Sequence, residues 1–378
     1  MADISLSKAV RANLNSLTST ASMMAVTQNR LSTGNKVNSA LDNPSNWFTA
    51  KGLDNRAGDL NSLLDGMANG VKTLEAADNG LTAMTKTLES MQSTLRQARQ
   101  DKSFQTDSYD VSANLTDGVF AASSAITFEG GSTGVDIGGT AISIDVAGKS
   151  LDEAVEAINT AAEEGGTLAG AVRASNDNGK LRIENLSTQD LKTGGTTSIT
   201  GTTIDGNSVR AGLADQYNEL RDQLDKLADD ASFNGINLLR GDNLSITFNE
   251  TGTSSIDIQS KDGKTVNSAN LGLATTIEAT DLDSDTNIDA ELSNLKAGLN
   301  TVRSQASSFG SNLSIVQGRQ DFTNSMIATL KDGAGNLTLA DMNGEAANLL
   351  ALQTRQSLAS NSLSLASQQD QSVLQLIR

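Results

Sequence analysis

The sequence predicts a mainly α-helical protein that carries an inserted β-rich domain and pairs its first helix with its last. Three observations lead there. Apolar residues recur at heptad spacing at both ends of the 378-residue chain, and the composition between about 106 and 208 turns to Gly, Thr, Ser and β-branched residues. Only 37% of residues are hydrophobic and 3% aromatic, which favours thin layers of long helices over one thick core.

The N-terminal stripe is Val10, Leu14, Leu17, Ala21, Met24, Gln28 and Leu31. The C-terminal stripe is Leu349, Leu352, Gln356, Ala359, Leu363, Ala366, Asp370, Val373 and Ile377. Both step by three and four, the spacing of a coiled-coil seam. The flanking positions hold mainly Ser, Thr, Asn and Gln rather than the Lys and Glu of a solvated coiled coil. Such faces suit helices that touch protein on more than one side; a Ser-rich two-helix stalk is the plainer alternative.

A second helical block is expected from about Pro44 to Asp101, interrupted by Gly58, Gly66, Gly70 and Gly80 and so in need of tertiary partners. A third runs from about Val209 to Ala231 on the stripe Leu213, Tyr217, Leu220, Leu224, Leu227 and Ala231. A fourth covers about Ile288 to Leu330, after which KDGAGNLTLADMNGE, with three glycines, is expected to break the pattern before the terminal helix. Within the central region GVDIGGTAISIDV (134–146) reads as strands about a Gly-Gly turn, and LDEAVEAINTAA (151–162) as a short helix. AVRASNDNGKLRIENL (171–186) reads as a hairpin turned at Asn-Gly, and LSITFNETGTSSIDIQ (244–259) as another. The expected division is 1–33 with 345–378, then 34–105 with 209–344, and outermost 106–208.

The formal charge of −17 argues against nucleic acid or an anionic membrane surface as partner. Residues 1–35 set Asp3 against Lys8, Arg11 and Arg30, while 345–378 balance Glu345 and Asp370 with Arg355 and Arg378, so the acidic excess lies in the middle. No apolar run reaches the ~18–20 residues of a membrane helix, and the N-terminus lacks the apolar core of a cleaved signal; physics alone defaults to the cytoplasm. With no His and no Cys, Ser-His and Cys-His nucleophiles and His/Cys zinc sites are excluded. SLSK (5–8) and KTG (192–194) match β-lactamase elements by coincidence, since the first falls in a heptad helix and no S-D-N element exists. DLDSDTNIDAEL (281–292) has calcium-loop spacing but Thr286 where Gly belongs and Leu292 where a bidentate Glu belongs. An acidic cap on the following helix is the simpler reading. No catalytic, cofactor or metal residue is assigned, and no enzymatic activity is expected.

Three segments resemble the bacterial flagellins. QNRLSTGNKVNSALDNPSNWFTAKGL (28–53) is similar to their N-terminal signature, LADDASFNGINLLRG (227–241) to their helix-to-hairpin element, and ANLLALQTRQSLASNSLSLASQQDQSVLQLIR (347–378) to their last helix. The insert resembles the small repeat domain of many flagellin variable regions. The resemblance implies a secreted filament subunit for swimming motility, exported unfolded by the flagellar type III apparatus and polymerised under a cap into the extracellular helical tube. It implies that the terminal helices pair antiparallel in the inner layer, that Val10, Leu14, Leu17, Ala21, Met24, Leu31, Leu352, Ala359, Leu363, Ala366, Val373 and Ile377 face the polymer core, and that the middle faces outward. Implied partners are other copies of the chain, the export apparatus and chaperone, cap and hook-junction proteins, and other flagellins in a mixed filament. No cofactor is implied. A hook–filament junction protein and a secreted coiled-coil adhesin are the rival readings.

The only Pro and the only Trp of the chain fall together in LSTGNKVNSALDNPSNWF (31–48). Gly34 suits a left-handed helix end, Asn43 an N-cap, and Pro44 the first helical position. Trp47 reads either as an ordinary buried ring or as a filler of the crease below the corner or of a neighbour's groove. Together the four residues read as a joint between two layers.

The flagellin segment read by the animal flagellin receptor resembles L-Q-R-V-R-E-L-A, and the corresponding run here is Leu88, Glu89, Ser90, Met91 through Leu95, with Ser90 in place of the Arg. Purified subunits are therefore expected to activate a receptor-reporter cell line weakly; a full response at ordinary flagellin doses would count against this.

Overall fold

A computed structural model describes residues 8–130, 141–163, 168, 170–195, 199 and 201–376. In chain order these include helices α1 (Lys8–Thr33) and α2 (Pro44–Gln100), then strands β1 (Gln105–Tyr109), β2 (Leu115–Thr116), β3 (Val119–Phe120), β4 (Ala125–Gly130) and β5 (Ile142–Asp145). Helix α3 (Leu151–Ala161), strands β6 (Val172–Asp177), β7 (Lys180–Asn185), β8 (Leu191–Gly195) and β9 (Thr202–Ile204), and helix α4 (Ser208–Asp230) follow. Strands β10 (Leu244–Thr247) and β11 (Ser255–Ile258) precede the long α5 (Asp285–Thr338) and α6 (Met342–Leu376). The fold class is thus mainly α with an inserted β-rich domain, as the sequence predicts.

The chain forms two compact units, Met1–Ala68 with Ile246–Ser255 and Gln317–Arg378, and Asn69–Ser245 with Ile256–Val316. In the first unit α1 lies along α6. The start of α2 packs on the end of α5 through Ala57, Leu60, Ile327 and Leu330. That contact explains one departure from expectation. Helix α5 does not stop near Leu330 but runs through Gly333 and Gly335 to Thr338, because Leu330 and Ala334 are buried on its apolar face. A Cβ on Gly333 would already meet Leu53 at 3.5 Å. Tertiary burial outweighs the ~1 kcal/mol cost of each glycine. The break is confined to Leu339–Asp341, where Asp341 Oδ1 accepts from Asn343 N–H and Gly344 N–H to start α6.

In the second unit α2 buries an unbroken stripe, Leu74, Ala77, Leu81, Met84, Leu88, Met91, Leu95 and Ala98. Ion pairs Glu89–Arg303 at 3.0 Å and Arg99–Asp289 at 2.8 Å set α2 antiparallel to α5. Gly80 permits a close approach: a Cβ there would lie 2.7 Å from Ala231 Cβ and 2.8 Å from Leu239. The turn after α4 has Asn234 and Gly235 both at positive φ, and Asn237 ties it back by donating to Ala228 O and Asp229 O.

The β-rich part has a three-stranded sheet ordered β1-β7-β6, a four-stranded sheet ordered β5-β4-β8-β9 and a two-stranded β2-β3 ribbon. Asn178 and Gly179, both at positive φ, turn β6 into β7 as their Asn-Gly sequence predicts. Helix α3 starts in a capping box between Ser150 and Glu153. It buries Leu151, Ala154 and Ile158 in the core shared with Phe120, Ile126, Phe128, Leu181 and Ile183. The expected Gly-Gly turn of 134–146 lies outside the described residues. Its following strand is β5, and that strand's partner is the upstream β4.

The β-rich part leaves and rejoins the helices at a polar clasp. Asp101, just past α2, accepts from Asn207 Nδ2 at 2.6 Å, and Asn207 in turn caps α4. Arg210 is 1% exposed and donates to Leu282 O at 2.8 Å and Asp101 O at 3.2 Å. The carboxylates of the calcium-like run are committed elsewhere. Asp281 accepts from Glu278 N–H, Asp283 accepts from Thr188 N–H at 2.7 Å, and Asp285 lies 3.6 Å from Arg210.

Burial pushes the Asp283 carboxyl up to about 6 against the opposing pull of Thr188 N–H and Arg210. A carboxyl whose folded pKa is raised favours the native state below its unfolded value, and that contribution fades as pH rises through the folded value. The Asp283→Asn variant should therefore gain stability relative to the parent as pH rises from about 4, the difference levelling off above about 6. Denaturant unfolding of both proteins across that range checks it.

Candidate functional site

The first unit holds the residues singled out at the chain's two ends. Its geometry starts at the corner after α1. Gly34 takes φ +73° and donates its N–H to Arg30 O at 2.8 Å, ending the helix in the left-handed conformation that glycine tolerates. The chain then pairs with the segment linking α5 to α6. Lys36 N–H donates to Thr338 O at 2.7 Å, Ala340 N–H donates to Gly34 O at 2.9 Å, and Asn35 forms an antiparallel bridge with Leu339. Next to this bridge Arg30 meets Glu345 at 3.1 Å. Arg30 lies in the last turn of α1 and Glu345 in the first turn of α6, so each charge also complements its own helix dipole. Backbone and side chains together set α1 antiparallel to α6 in one register.

Beyond the corner, Asp42 Oδ2 accepts from Asn38 N–H at 2.9 Å and Ser39 N–H at 3.0 Å. These two donors hold the Asp42 carboxyl below the usual carboxylate range. Asn43 Oδ1 then accepts from Asn46 N–H at 3.1 Å, and Pro44 is the first residue of α2. Trp47 is half-buried, edge-on to Phe48 with ring centroids 4.9 Å apart, while Phe48 is 63% exposed.

Along the α1–α6 pair, α6 half-buries Leu349, Leu352, Gln356, Ala359, Leu363 and Ala366, the stripe its sequence predicts. The side chain of Val373 and the whole of Ile377 lie outside the described residues. On α1 the inward line is Val10, Asn13, Leu17, Thr20, Met24, Thr27 and Leu31. Leu14, Ala21 and Gln28 are exposed instead, which corrects the expected seam. The reason is that threonine can face apolar neighbours once its hydroxyl is satisfied locally: Thr20 Oγ1 donates to Ser16 O at 2.8 Å. Periodicity counted threonine as polar and so stepped onto the adjacent row.

That shift leaves apolar side chains uncovered on both helices. Leu14, Met23 and Val26 are exposed on α1, and Leu350, Leu358 and Leu365 are exposed on α6. A groove of about 500 Å³ opens between the helices near the corner, walled by Met23, Val26, Ala351 and Leu352 and rimmed by Arg30, Glu345 and Arg355. Sequence reasoning missed the Arg30–Glu345 pair and this groove. The basic last turn and acidic first turn were the available signal for the pair.

Of the receptor-like segment, in the second unit, Leu88, Met91 and Leu95 are buried, Glu89 is engaged with Arg303, and Ser90 is exposed. The strongly shifted groups of that unit serve its architecture. Tyr217 donates to the buried Glu291 at 2.5 Å, burial raises the phenol above its usual range, and the same carboxylate accepts from Ala274 N–H.

Two matches to a known family bracket the chain. The bacterial flagellin N-terminal helical region matches residues 4–127 and the bacterial flagellin C-terminal helical region matches residues 292–377. The chain is 26% identical to Flagellin A of Rhizobium meliloti, with both chains covered fully. It is also 26% identical to Flagellin B of that organism, again over the whole of both. Flagellin FljK of Caulobacter vibrioides is 28% identical over 63% of this chain and 79% of its own.

Replacing Asn43 by Ala removes the side-chain acceptor at the start of α2 and should cost about 1 kcal/mol. Because Trp47 is the sole Trp, its fluorescence reads this corner directly. The variant's fluorescence-detected melting midpoint should fall, and an unchanged midpoint would contradict the capping role.

Proposed function

This chain belongs to the bacterial flagellin family, and from that premise we propose that it polymerises with copies of itself as the structural subunit of a flagellar filament. The observation that carries the reading is the set of apolar side chains that the terminal pair leaves uncovered. Leu14, Met23 and Val26, with Leu350, Leu358 and Leu365, remain exposed after α1 and α6 have packed together. A set of uncovered leucines along a two-helix rod is a surface for further protein. A contact that joins one face of a subunit to a different face of the next, by a rotation that does not close, builds a helical filament.

On this reading Val10, Leu14, Leu17, Ala21, Met24 and Leu31 of the first helix, with Leu352, Ala359, Leu363, Ala366, Val373 and Ile377 of the last, form the polymer core. Leu17 and Met24 hold the pair together while Leu14 and Ala21 meet neighbours. Gly34, Asn43, Pro44 and Trp47 act as the joint between an inner layer, 1–33 with 345–378, and a helical layer, 34–105 with 209–344. Residues 106–208 form the outer domain. The subunit is exported by the flagellar type III apparatus with a chaperone, is added beneath a cap beyond the hook-junction proteins, and works in the extracellular filament. It performs no catalysis. The hook–filament junction and adhesin readings are not favoured, since the relatives found are flagellins.

Deleting residues 1–30 or 345–378 should abolish polymerisation while leaving the second unit folded by circular dichroism. Long filaments in the pellet of either purified truncated subunit would refute the assignment of the ends as polymer core.

A further inference from the structure

We infer that the loop bearing Leu41 is a knob that seats in the α1–α6 groove of a second copy of this chain, a contact that rests on the polymerising reading above. Leu41 is 95% exposed, the most exposed large apolar side chain among the described residues. It is also held rigidly. Its N–H donates to Ser39 Oγ at 3.3 Å, and the next residue, Asp42, is fixed by the N–H groups of Asn38 and Ser39. A leucine presented on an ordered loop loses little conformational freedom on docking, so more of its burial is expressed as affinity.

The groove supplies the complement. Met23, Val26, Ala351 and Leu352 give it apolar walls beside the polar Ser22, Thr27 and Asn348, its volume of about 500 Å³ admits a leucine with its flanking backbone, and Leu41 of the same chain does not fill it. Arg355 stands on its rim without an acidic partner among the described residues. An incoming Leu41 brings the Asp42 carboxylate beside it, so the charge at the rim is matched as the side chain enters. Knob and groove occupy different places on one unit, so copies that engage in succession, not as reciprocal pairs, make a heterologous contact: each offers a free knob and a free groove to the next.

The absence of cysteine makes the contact testable in an otherwise full-length subunit. Leu41→Cys subunits are assembled in equal mixture with Ala351→Cys subunits and oxidised. A disulfide-linked dimer containing both variants is expected, and none is expected when Lys86→Cys, exposed on α2, replaces the Ala351→Cys partner. Filaments that give no mixed dimer would overturn the knob contact while leaving polymerisation intact. Failure of the unmodified chain to polymerise would overturn both. Independently, Leu41→Ala should raise the critical concentration for assembly about tenfold, with the subunit's thermal midpoint unchanged because Leu41 is solvent-exposed. An unchanged critical concentration would overturn the contact, and this measurement decides if the cysteine variants do not assemble.

Discussion

The antiparallel bridge between residues 34–37 and 338–340 fixes what the terminal helices cannot fix for themselves. Asn13, Thr20 and Thr27 alternate with Leu17, Met24 and Leu31 on one side, and Gln356 and Ala359 separate Leu352 from Leu363 on the other, so the large apolar contacts that lock a register are widely spaced. Three backbone hydrogen bonds and the Arg30–Glu345 pair sit at one end of the rod and fix the register. Glu345 is the more enclosed of the two charges, its side chain 12% exposed. Breaking the pair would leave it short of a cation where water reaches it poorly. Chain segments more than 300 residues apart thus begin their common helix pair from a defined point.

The second unit solves a related problem by other means. A β-rich segment inserted between two helices must return the chain to where it departed, or the helices splay. The return is held at the clasp, where Asn207 reaches Asp101 and Arg210 reaches the carbonyls of Asp101 and Leu282. Arg210 also lies 5.3 Å over the Phe104 ring. A buried guanidinium is costly unless its donors are used; here the two Nη groups join α4, the exit from α2 and the turn before α5, while the buried Nε has no hydrogen-bond partner among the described residues. The neighbouring Asp283 shows the other side of that burial in its raised pKa.

Much of this was legible in the sequence. The Asn-Gly hairpin, the short helix over 151–162, the α6 stripe and the Asn43-Pro44 helix start each follow from a local rule that tertiary structure did not override. The failures share a cause as well. Gly333 and Gly335 read as helix breakers because the burial of Leu330 and Ala334 against α2 is a non-local fact. Thr20 reads as solvent-facing because its hydroxyl's local partner, Ser16 O, is invisible in a hydropathy pattern, and Thr27 is buried on the same row. The exposed face of Leu14 and Ala21 was therefore assigned to the intramolecular seam. Within the candidate site, the corner was readable because glycine, asparagine and proline have positional chemistry of their own. The groove was not, since it depends on the register of two helices.

The thin threonine-bearing seam has a consequence for how much of the subunit is ordered at any moment. An element that buries little within its own chain, yet leaves leucines for neighbours, draws its stability from the occupancy of those neighbours. By mass action, its ordered fraction rises with the amount of assembled protein around it. In the proposed filament, neighbours would cover Leu14, Met23 and Val26, which the lone helix pair leaves exposed. On the proposed reading, the thin seam ties the order of the chain's ends to the presence of other subunits.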